Sequence, residues 1–249
     1  MDSIKSKIKP ASGFSHFVHI LLAVLLPVLV FILVRLDFVG LAVALVLLSK
    51  WRMLAVKPRH WPAHFRANGV DIIVGLSILV FMIHAQTQSV QLLWAASYAV
   101  WLVLIKPKSG VMGVSAQALI AQFLGLSALF LHWGNASVAT LVILGWLVCY
   151  SSARHYFTSF DEPLTRYLSD AWAYFSAGIV WVLSHWLLFY GAIAQPTLLL
   201  TVIGFGLAGI YYLDQTDRLS AALKRQIVFV MIAIAAIVIT FSDWGDKAL

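Results

Sequence analysis

The sequence predicts an all-α integral membrane protein, built as one polytopic domain over residues 1–249 with about nine transmembrane helices. The first observation is composition: 62% of the residues are hydrophobic and only 11% are charged, whereas soluble domains carry about 25% charged residues. The second is segmentation, because the apolar residues fall into runs of roughly the 20 residues that a helix needs to cross the hydrocarbon core. The third is the placement of basic residues between alternate runs, which fits one orientation in a membrane.

The apolar runs define nine predicted spans. Residues 1–16 precede the first span and are predicted to form a cytoplasmic N-terminal segment. The first run has no A-x-A-like cleavage site and is as long as a full span, so we expect a helix and not a removed signal peptide. The nine spans are roughly 17–35, 38–56, 69–87, 90–105, 111–132, 136–153, 167–190, 196–213 and 226–243.

Basic residues cluster on one side of these spans. Of the seventeen Lys and Arg residues, all but Arg35 and Lys247 lie in the N-terminal segment or near the connections that join spans 2 to 3, 4 to 5, 6 to 7 and 8 to 9. The positive-inside rule therefore predicts a cytoplasmic N-terminus and an external C-terminus. Because the charges occur in short segments between apolar runs, the net charge of +7 does not predict a nucleic-acid partner. Compactness and this charge bias favour a bacterial plasma membrane.

Three of the predicted helices share a motif. Small residues lie in mid-span and a histidine near the outer end in VGLSILVFMIH (74–84), LGLSALFLH (124–132) and SAGIVWVLSH (176–185). This pattern favours a helical-hairpin repeat used about three times, with chance similarity in a leucine-rich background as the alternative. Gly and Ser are expected to let neighbouring helices approach closely.

The stretch KPRHWPAHFRANGVD, residues 57–71, leads into the third span. Its basic residues Lys57, Arg59 and Arg66 are predicted to anchor the chain among anionic headgroups, where each contributes about 1 kcal/mol. The lipid bilayer is thus the predicted partner, and a second membrane protein or another copy of the chain is a further alternative.

The same stretch contains two histidines, His60 and His64, whose spacing would place both rings on one helix face, as in some zinc and iron sites. Pro62 lies between them, and proline is tolerated only in the first turn of a helix. We therefore expect His60 to precede the helix, which separates the pair. Neither a metal nor a cofactor is predicted.

Two carboxylates lie just inside predicted spans, Asp71 in the third and Asp170 in the seventh. The preceding helices end near Arg52 and Arg154, respectively. Because a charge inside the hydrocarbon boundary must reach water or a counter-charge, we predict the pairs Arg52–Asp71 and Arg154–Asp170 in a polar layer at the cytoplasmic face. The alternative is that both carboxylates face water at helix starts, where the helix dipole favours them.

Two deeper amides, Gln117 and Gln122, lie in the fifth span. A buried amide needs a hydrogen-bond partner. The two side chains therefore either bond to neighbouring helices or line a polar pathway, and the sequence leaves both alternatives open.

Missing residues exclude several chemistries. The last helices have no lysine for a retinal Schiff base, the GLSI and GLSA segments lack the second glycine of a rhomboid-type GxSG motif, and no glutamate lies within a predicted span. No catalytic residue is predicted. The sequence favours a non-enzymatic protein, either a small-solute permease or a subunit of a membrane complex, and repeated hairpins favour the permease. The alternative is a membrane enzyme acting on lipid headgroups at the cytoplasmic face with Asp71, Asp170, Arg154, His155 and His64.

Overall fold

A computed structural model describes residues 14–51, 55–160 and 162–243. Within these ranges the chain forms nine α-helices and one short antiparallel sheet, which lies between the seventh and eighth helices. The helices are α1 (Phe14–Arg35), α2 (Val39–Leu48), α3 (Trp61–His84), α4 (Gln88–Val100), α5 (Val111–Trp133), α6 (Val138–Phe157), α7 (Thr165–Leu183), α8 (Gln195–Gln215) and α9 (Ala221–Phe241), and the strands are β1 (Phe189–Tyr190) and β2 (Ile193–Ala194).

Six of these helices are long and apolar enough to cross a bilayer, which makes the chain a multi-pass membrane protein by length and composition. They are α3, α4 with its C-terminal extension, α5, α6, α8 and α9. The prediction of an all-α protein with nine helical segments is confirmed. Of the nine predicted spans, six thus correspond to described helices that are long and apolar enough to cross a bilayer.

Three further helices correspond to the other predicted spans, and α1 covers the whole of the first one. The described apolar stretch of α1 is Ile20–Arg35. The helix α2 ends at Leu48, although the predicted span continues to residue 56. Its ten residues rise only about 15 Å, half the thickness of the hydrocarbon core. The helix α7 begins with the polar sequence TRYLSDA, which lowers its hydropathy.

The helices α3, α4 and α5 run in alternating directions, as contacts between their ends show. At one end, Lys50 after α2 contacts Asp71 near the start of α3, and Gln117 of α5 bonds to the chain that follows α4. At the other end, the rings of His84 and His132 pack edge to face with centroids 5.1 Å apart. We call the first of these the basic end, marked by Lys50, Asp71 and Gln117.

Buried apolar side chains form two clusters. The first cluster joins α1 to α4 and includes Val46, Ile78 and Tyr98. The second cluster joins α5 to α8 and includes Leu126 and Leu200. The helix α5 packs against both, so it forms the boundary between the two halves of the bundle.

Glycines of the shared motif lie where helices approach most closely. A Cβ atom added at Gly75 would lie 2.8 Å from the hydroxyl oxygen of Tyr98. One added at Gly125 would lie 2.7 Å from the Ile73 side chain and 2.8 Å from that of Val148. The expected role of small residues in close helix packing is therefore confirmed at these two positions, whereas the helical-hairpin repeat stays a prediction.

Candidate functional site at the basic end

The Asp71 carboxylate is the centre of a polar cluster between α2, α3 and α4. Its Oδ2 atom lies 2.9 Å from the Lys50 ammonium and 2.5 Å from that of Lys106. The indole N–H of Trp101 donates to Oδ1 at 3.2 Å. Asp71 and Lys50 are largely buried, whereas the Lys106 side chain is 38% exposed and reaches water. We call these four residues the Asp71 cluster.

The backbone after α4 explains how two of its residues reach one carboxylate. A π-helical turn, Trp101–Ile105, extends α4 and is closed by the Lys106 N–H, which donates to the Trp101 carbonyl at 2.8 Å. In an α-helix, residues five positions apart point about 140° away from each other. The wider turn, with its bonds between residues five apart, brings Trp101 and Lys106 to the same side.

The Asp71 cluster contains two ammonium groups for one carboxylate and therefore carries excess positive charge. Burial lowers the pKa of Lys50 to about 8; the charge of Asp71 opposes this shift, and that of Lys106 adds to it. With three donors on its two oxygens, Asp71 is suited to holding three helices together and not to transferring a proton.

Gln117 fixes the chain that carries Lys106. Its amide nitrogen donates to the carbonyls of Ile105, Lys106 and Lys108 at 2.8, 3.3 and 2.9 Å. Because three carbonyls set the orientation of the amide, its oxygen must accept from Nε2 of His155, 2.8 Å away. The structure thus gives Gln117 the interhelical hydrogen bonds that were one of the two sequence-based alternatives.

The structure gives different outcomes for the two predicted ion pairs, Arg52–Asp71 and Arg154–Asp170. Arg52 lies outside the described residues, and Lys50 and Lys106 are the described basic partners of Asp71. The pair Arg154–Asp170 is wrong, because each residue has a partner one turn back on its own helix. Arg154 donates to the Tyr150 hydroxyl at 3.2 Å, and Asp170 lies 4.0 Å from Arg166.

A large cavity lies on the other side of α5, between α5, α6, α7, α8 and the start of α9. Its volume is about 560 Å³. We call it the α5–α8 cavity, and its lining includes Gln122, Ser152, Trp172, Gly204, Tyr211, Asp214 and Lys224 together with alanine, leucine and aromatic side chains. The cavity extends from mid-span at Gln122 to the basic end at Asp214 and Lys224.

Two polar residues line this cavity, Gln122 in the middle of α5 and Ser152 near the end of α6. The Gln122 amide donates to the Leu200 carbonyl and accepts from the Trp172 indole N–H, both at 3.0 Å. This leaves the second amide hydrogen of Gln122 without an acceptor among the described residues. The Ser152 side chain is almost fully buried, and its hydroxyl has no hydrogen-bond partner in the described part of the chain.

The mouth of the cavity carries charges of both signs. Asp214 ends α8 and Lys224 begins α9. Beside them, the Tyr211 hydroxyl donates a short hydrogen bond to Glu162, which, together with the Leu164 N–H, holds the pKa of the Glu162 carboxyl below its usual value. This bond ties the end of α8 to the segment that precedes α7.

The predicted headgroup anchors lie before and within the start of α3. Lys57, Arg59 and Arg66 are all exposed, and Arg59 donates to the ring of His60 at 2.9 Å. Over residues 14–51, 55–160 and 162–243, no group of three or more His, Cys, Asp or Glu side chains is placed to hold a metal ion.

Among the five residues considered for an alternative headgroup enzyme, Arg154 and His155 line one cleft, which also contains the predicted anchor Arg66. Asp71 is bound by two lysines, and Asp170 lies beside Arg166. Sequence reasoning missed the roles of Lys50, Trp101 and Lys106.

No family model, curated protein or solved structure matches the chain. Arguments about its function therefore rest on the geometry of the cluster and of the cavity.

Proposed function

We propose that the protein is permease-like and binds an amphipathic small molecule, with an apolar chain and a polar head, in the α5–α8 cavity. The observation that carries this proposal is the cavity itself: about 560 Å³ of space with mostly apolar walls, lined near the end of α6 by Ser152, whose hydroxyl has no partner among the described residues. Its volume falls within the roughly 300–1,000 Å³ of small-molecule sites.

The distribution of polar groups supports an amphipathic occupant. Apolar walls favour a hydrocarbon chain, because burying it there removes it from water. Asp214 and Lys224 at the mouth favour a head that carries both charges. In this proposal Gln122 lines the path of the molecule, and Ser152 supplies a hydroxyl to a polar atom within it.

The polar groups outside the cavity have a supporting role in this proposal. The Asp71 cluster and Gln117 hold the first half of the bundle together through the contacts described above. Lys57, Arg59 and Arg66 are exposed and would hold the basic end among anionic headgroups.

We also propose that the basic end faces the cytoplasm of a bacterial plasma membrane, because Lys and Arg residues concentrate there. Cysteines at Asn135 and Ser109, which are exposed at opposite ends of α5, test the orientation. An impermeant thiol reagent added outside cells should label the cysteine at position 135 and spare that at 109. The native Cys149 is fully buried and serves as a silent background. Reversed labelling would contradict this orientation.

Quenching of Trp172 fluorescence tests the cavity directly. The probe is a monoacyl phosphocholine with a brominated chain, added to the protein in nanodiscs of unlabelled phosphatidylcholine. The protein contains ten tryptophans, so the Trp172→Phe variant is measured in parallel and the difference isolates Trp172. We expect this difference to show saturable quenching, because the probe's chain would lie against the Trp172 ring.

A matched pair of variants distinguishes the cavity from the surrounding lipid. Ala171 lines the cavity but is exposed, so Ala171→Phe fills the space without disturbing the core. Gly178 lies two turns along α7, does not line the cavity and has open space for a side chain. Ala171→Phe should weaken probe binding about tenfold, and Gly178→Phe should leave it unchanged. Equal effects of both changes, or quenching that never saturates, would contradict the proposal.

A further inference from the structure

A cleft between α3 and α6 lies at the basic end. It lies on one side of α6, and the α5–α8 cavity lies on the other. Its volume is about 390 Å³, and its lining is Ala63, Arg66, Ala67, Arg154, His155 and Thr158. We call it the α3–α6 cleft. It lies beyond the close approach of the two helices, where a Cβ atom added at Gly69 would be 3.4 Å from the Ser151 side chain.

The described residues that line this cleft are positively charged and include no carboxylate. The ion pairs of the described chain are those of Asp71 with two lysines and of Asp170 with Arg166. Neither Arg66 nor Arg154 takes part in one. The guanidinium of Arg154 donates one hydrogen bond, to the Tyr150 hydroxyl, which leaves most of its five N–H donors available for a ligand.

The neighbouring residues hold this arrangement in place. His155, beside Arg154, is tied through Nε2 to Gln117 at 2.8 Å, and Gln117 is tied to the chain after α4. Arg154 also lies over the ring of Tyr150, with its Cζ atom 5.9 Å from the ring centroid. One arginine therefore projects from a rigid helix, and the second, Arg66, projects from the facing helix.

We propose that the α3–α6 cleft binds one phosphate group, with Arg66 and Arg154 as its ligands. A guanidinium presents planar paired N–H donors that match two phosphate oxygens, and two arginines without carboxylate partners supply the charge that a phosphate needs. The phosphate comes either from a lipid headgroup or from a soluble phosphate compound, since basic pockets between membrane helices suit both. This site is separate from the α5–α8 cavity and does not depend on the function proposed for it.

Binding of two probes to the purified full-length protein in a neutral detergent tests the proposal and identifies the source of the phosphate. One probe is short-chain phosphatidic acid, and the other is inorganic phosphate, each titrated at constant ionic strength. Binding of phosphatidic acid alone supports a lipid headgroup, and binding of both with similar affinity supports a soluble phosphate. Binding of neither probe would overturn the proposal.

Variants locate the binding. Arg66→Gln and Arg154→Gln should each weaken binding of the favoured probe about tenfold or more, because each removes charged hydrogen bonds to the phosphate. Arg218 is the matched control: it is exposed near the basic end, has no ion pair among the described residues and lies outside the cleft. Arg218→Gln should change the affinity by less than about threefold. Equal losses in all three variants would show surface attraction only and overturn the site.

Additional variants keep the test valid if Arg154→Gln does not fold. Arg66 is exposed, so Arg66→Gln is expected to fold normally even if Arg154→Gln does not. Arg154→Lys keeps the charge but removes the paired donors, and it should still lose affinity several-fold. Full affinity in Arg154→Lys would contradict the role of the guanidinium. Ala171→Phe, which fills the separate cavity, should bind phosphate like the unmodified protein.

Discussion

The two halves of the bundle differ in how they accommodate buried polar groups. Among the described residues of α1 to α4, one buried side-chain atom, Gln91 Oε1, has no hydrogen-bond partner. The described residues from α5 to α8 contain six such groups, in Ser127, Trp146, Ser152, Ser184, Thr197 and Thr201, while the Ser176 hydroxyl bonds to the Cys149 thiol. The first half thus holds the fully partnered Asp71 cluster, and the second half holds the cavity and most of the unpartnered polar groups.

Local geometry alone does not account for this difference. A helical serine can donate to the carbonyl four residues back, as Ser77 and Ser115 do at 2.7 Å. The Ser152 hydroxyl does not, although its helix continues in both directions. An unpartnered buried polar group costs about 1–3 kcal/mol. Ser152 is the one of these residues that lines the α5–α8 cavity, whereas the Asp71 cluster leaves little for a ligand to use.

The largest expected effect concerns the Asp71 cluster. Asp71→Asn keeps the shape of the side chain but leaves the Lys50 and Lys106 ammonium groups without their counter-charge. Breaking a buried charge pair in this way costs about 3–5 kcal/mol, so the free energy of unfolding in mixed micelles should fall by that amount. Asp170→Asn is the control, because the Arg166 side chain of that pair is 81% exposed and such pairs contribute about 0–1 kcal/mol. Similar losses in both variants would remove the distinction between the two pairs.

The next effect is the contribution of Lys50, in the first half, to the pH dependence of stability. The pKa of Lys50 is about 8 in the folded chain against an ordinary 10.5. Between these values the Lys50 side chain binds more protons in the unfolded chain, so its contribution to stability should rise with pH across this range, by at most about 3 kcal/mol. The rise is measured as the difference in unfolding free energy between the unmodified protein and Lys50→Met at each pH. A difference that is flat, or that falls, would show that burial does not control the Lys50 ammonium.

The boundary between the halves gives a smaller effect. A methyl group at Gly125 would lie within 3 Å of both Ile73 and Val148, so Gly125→Ala should cost about 1–3 kcal/mol through overpacking. At Gly209 a Cβ atom meets nothing within 4 Å, and Gly209→Ala should be neutral or slightly stabilising. Thermal midpoints of the two variants check the contrast. A loss at Gly209 as large as that at Gly125 would mean that helix flexibility, and not close packing, sets the cost.

Features that depend on composition and local pattern were predictable from the sequence. Nine helical segments follow from the apolar runs between polar connections, and the small residues Gly75 and Gly125 follow from their mid-span positions. That Asp71 pairs with a basic residue near the end of the second helix was also predictable. The described partner there is Lys50, because α2 ends at Leu48 and the chain turns earlier than the apolar pattern suggests.

Features that depend on the backbone register or on tertiary packing were not predictable. The π-helical turn that brings Trp101 and Lys106 together has the sequence WLVLI, whose apolar residues are equally compatible with a continuing α-helix. The predicted pair Arg154–Asp170 does not form, because each residue has a partner on its own helix. The prediction followed the analogy with Asp71 and did not consider these local partners. The cavity depends on how α5 to α8 pack against one another, and a single sequence carries no direct signal of that packing.

The smallest expected effect is the sharpest test of the second half. Ser152→Ala removes a hydroxyl that no described group bonds, so the unfolding free energy should stay unchanged or rise by about 1 kcal/mol. Ser169 is the control: it is equally buried, and its hydroxyl donates to the Thr165 carbonyl at 2.6 Å, so Ser169→Ala should lower stability slightly. If Ser152 bonds to a ligand, Ser152→Ala should also weaken binding of the brominated phosphocholine several-fold, and Ser169→Ala should not. A stability loss at Ser152 without a change in binding would mean that its hydroxyl has a structural partner and would weaken the contrast between the two halves.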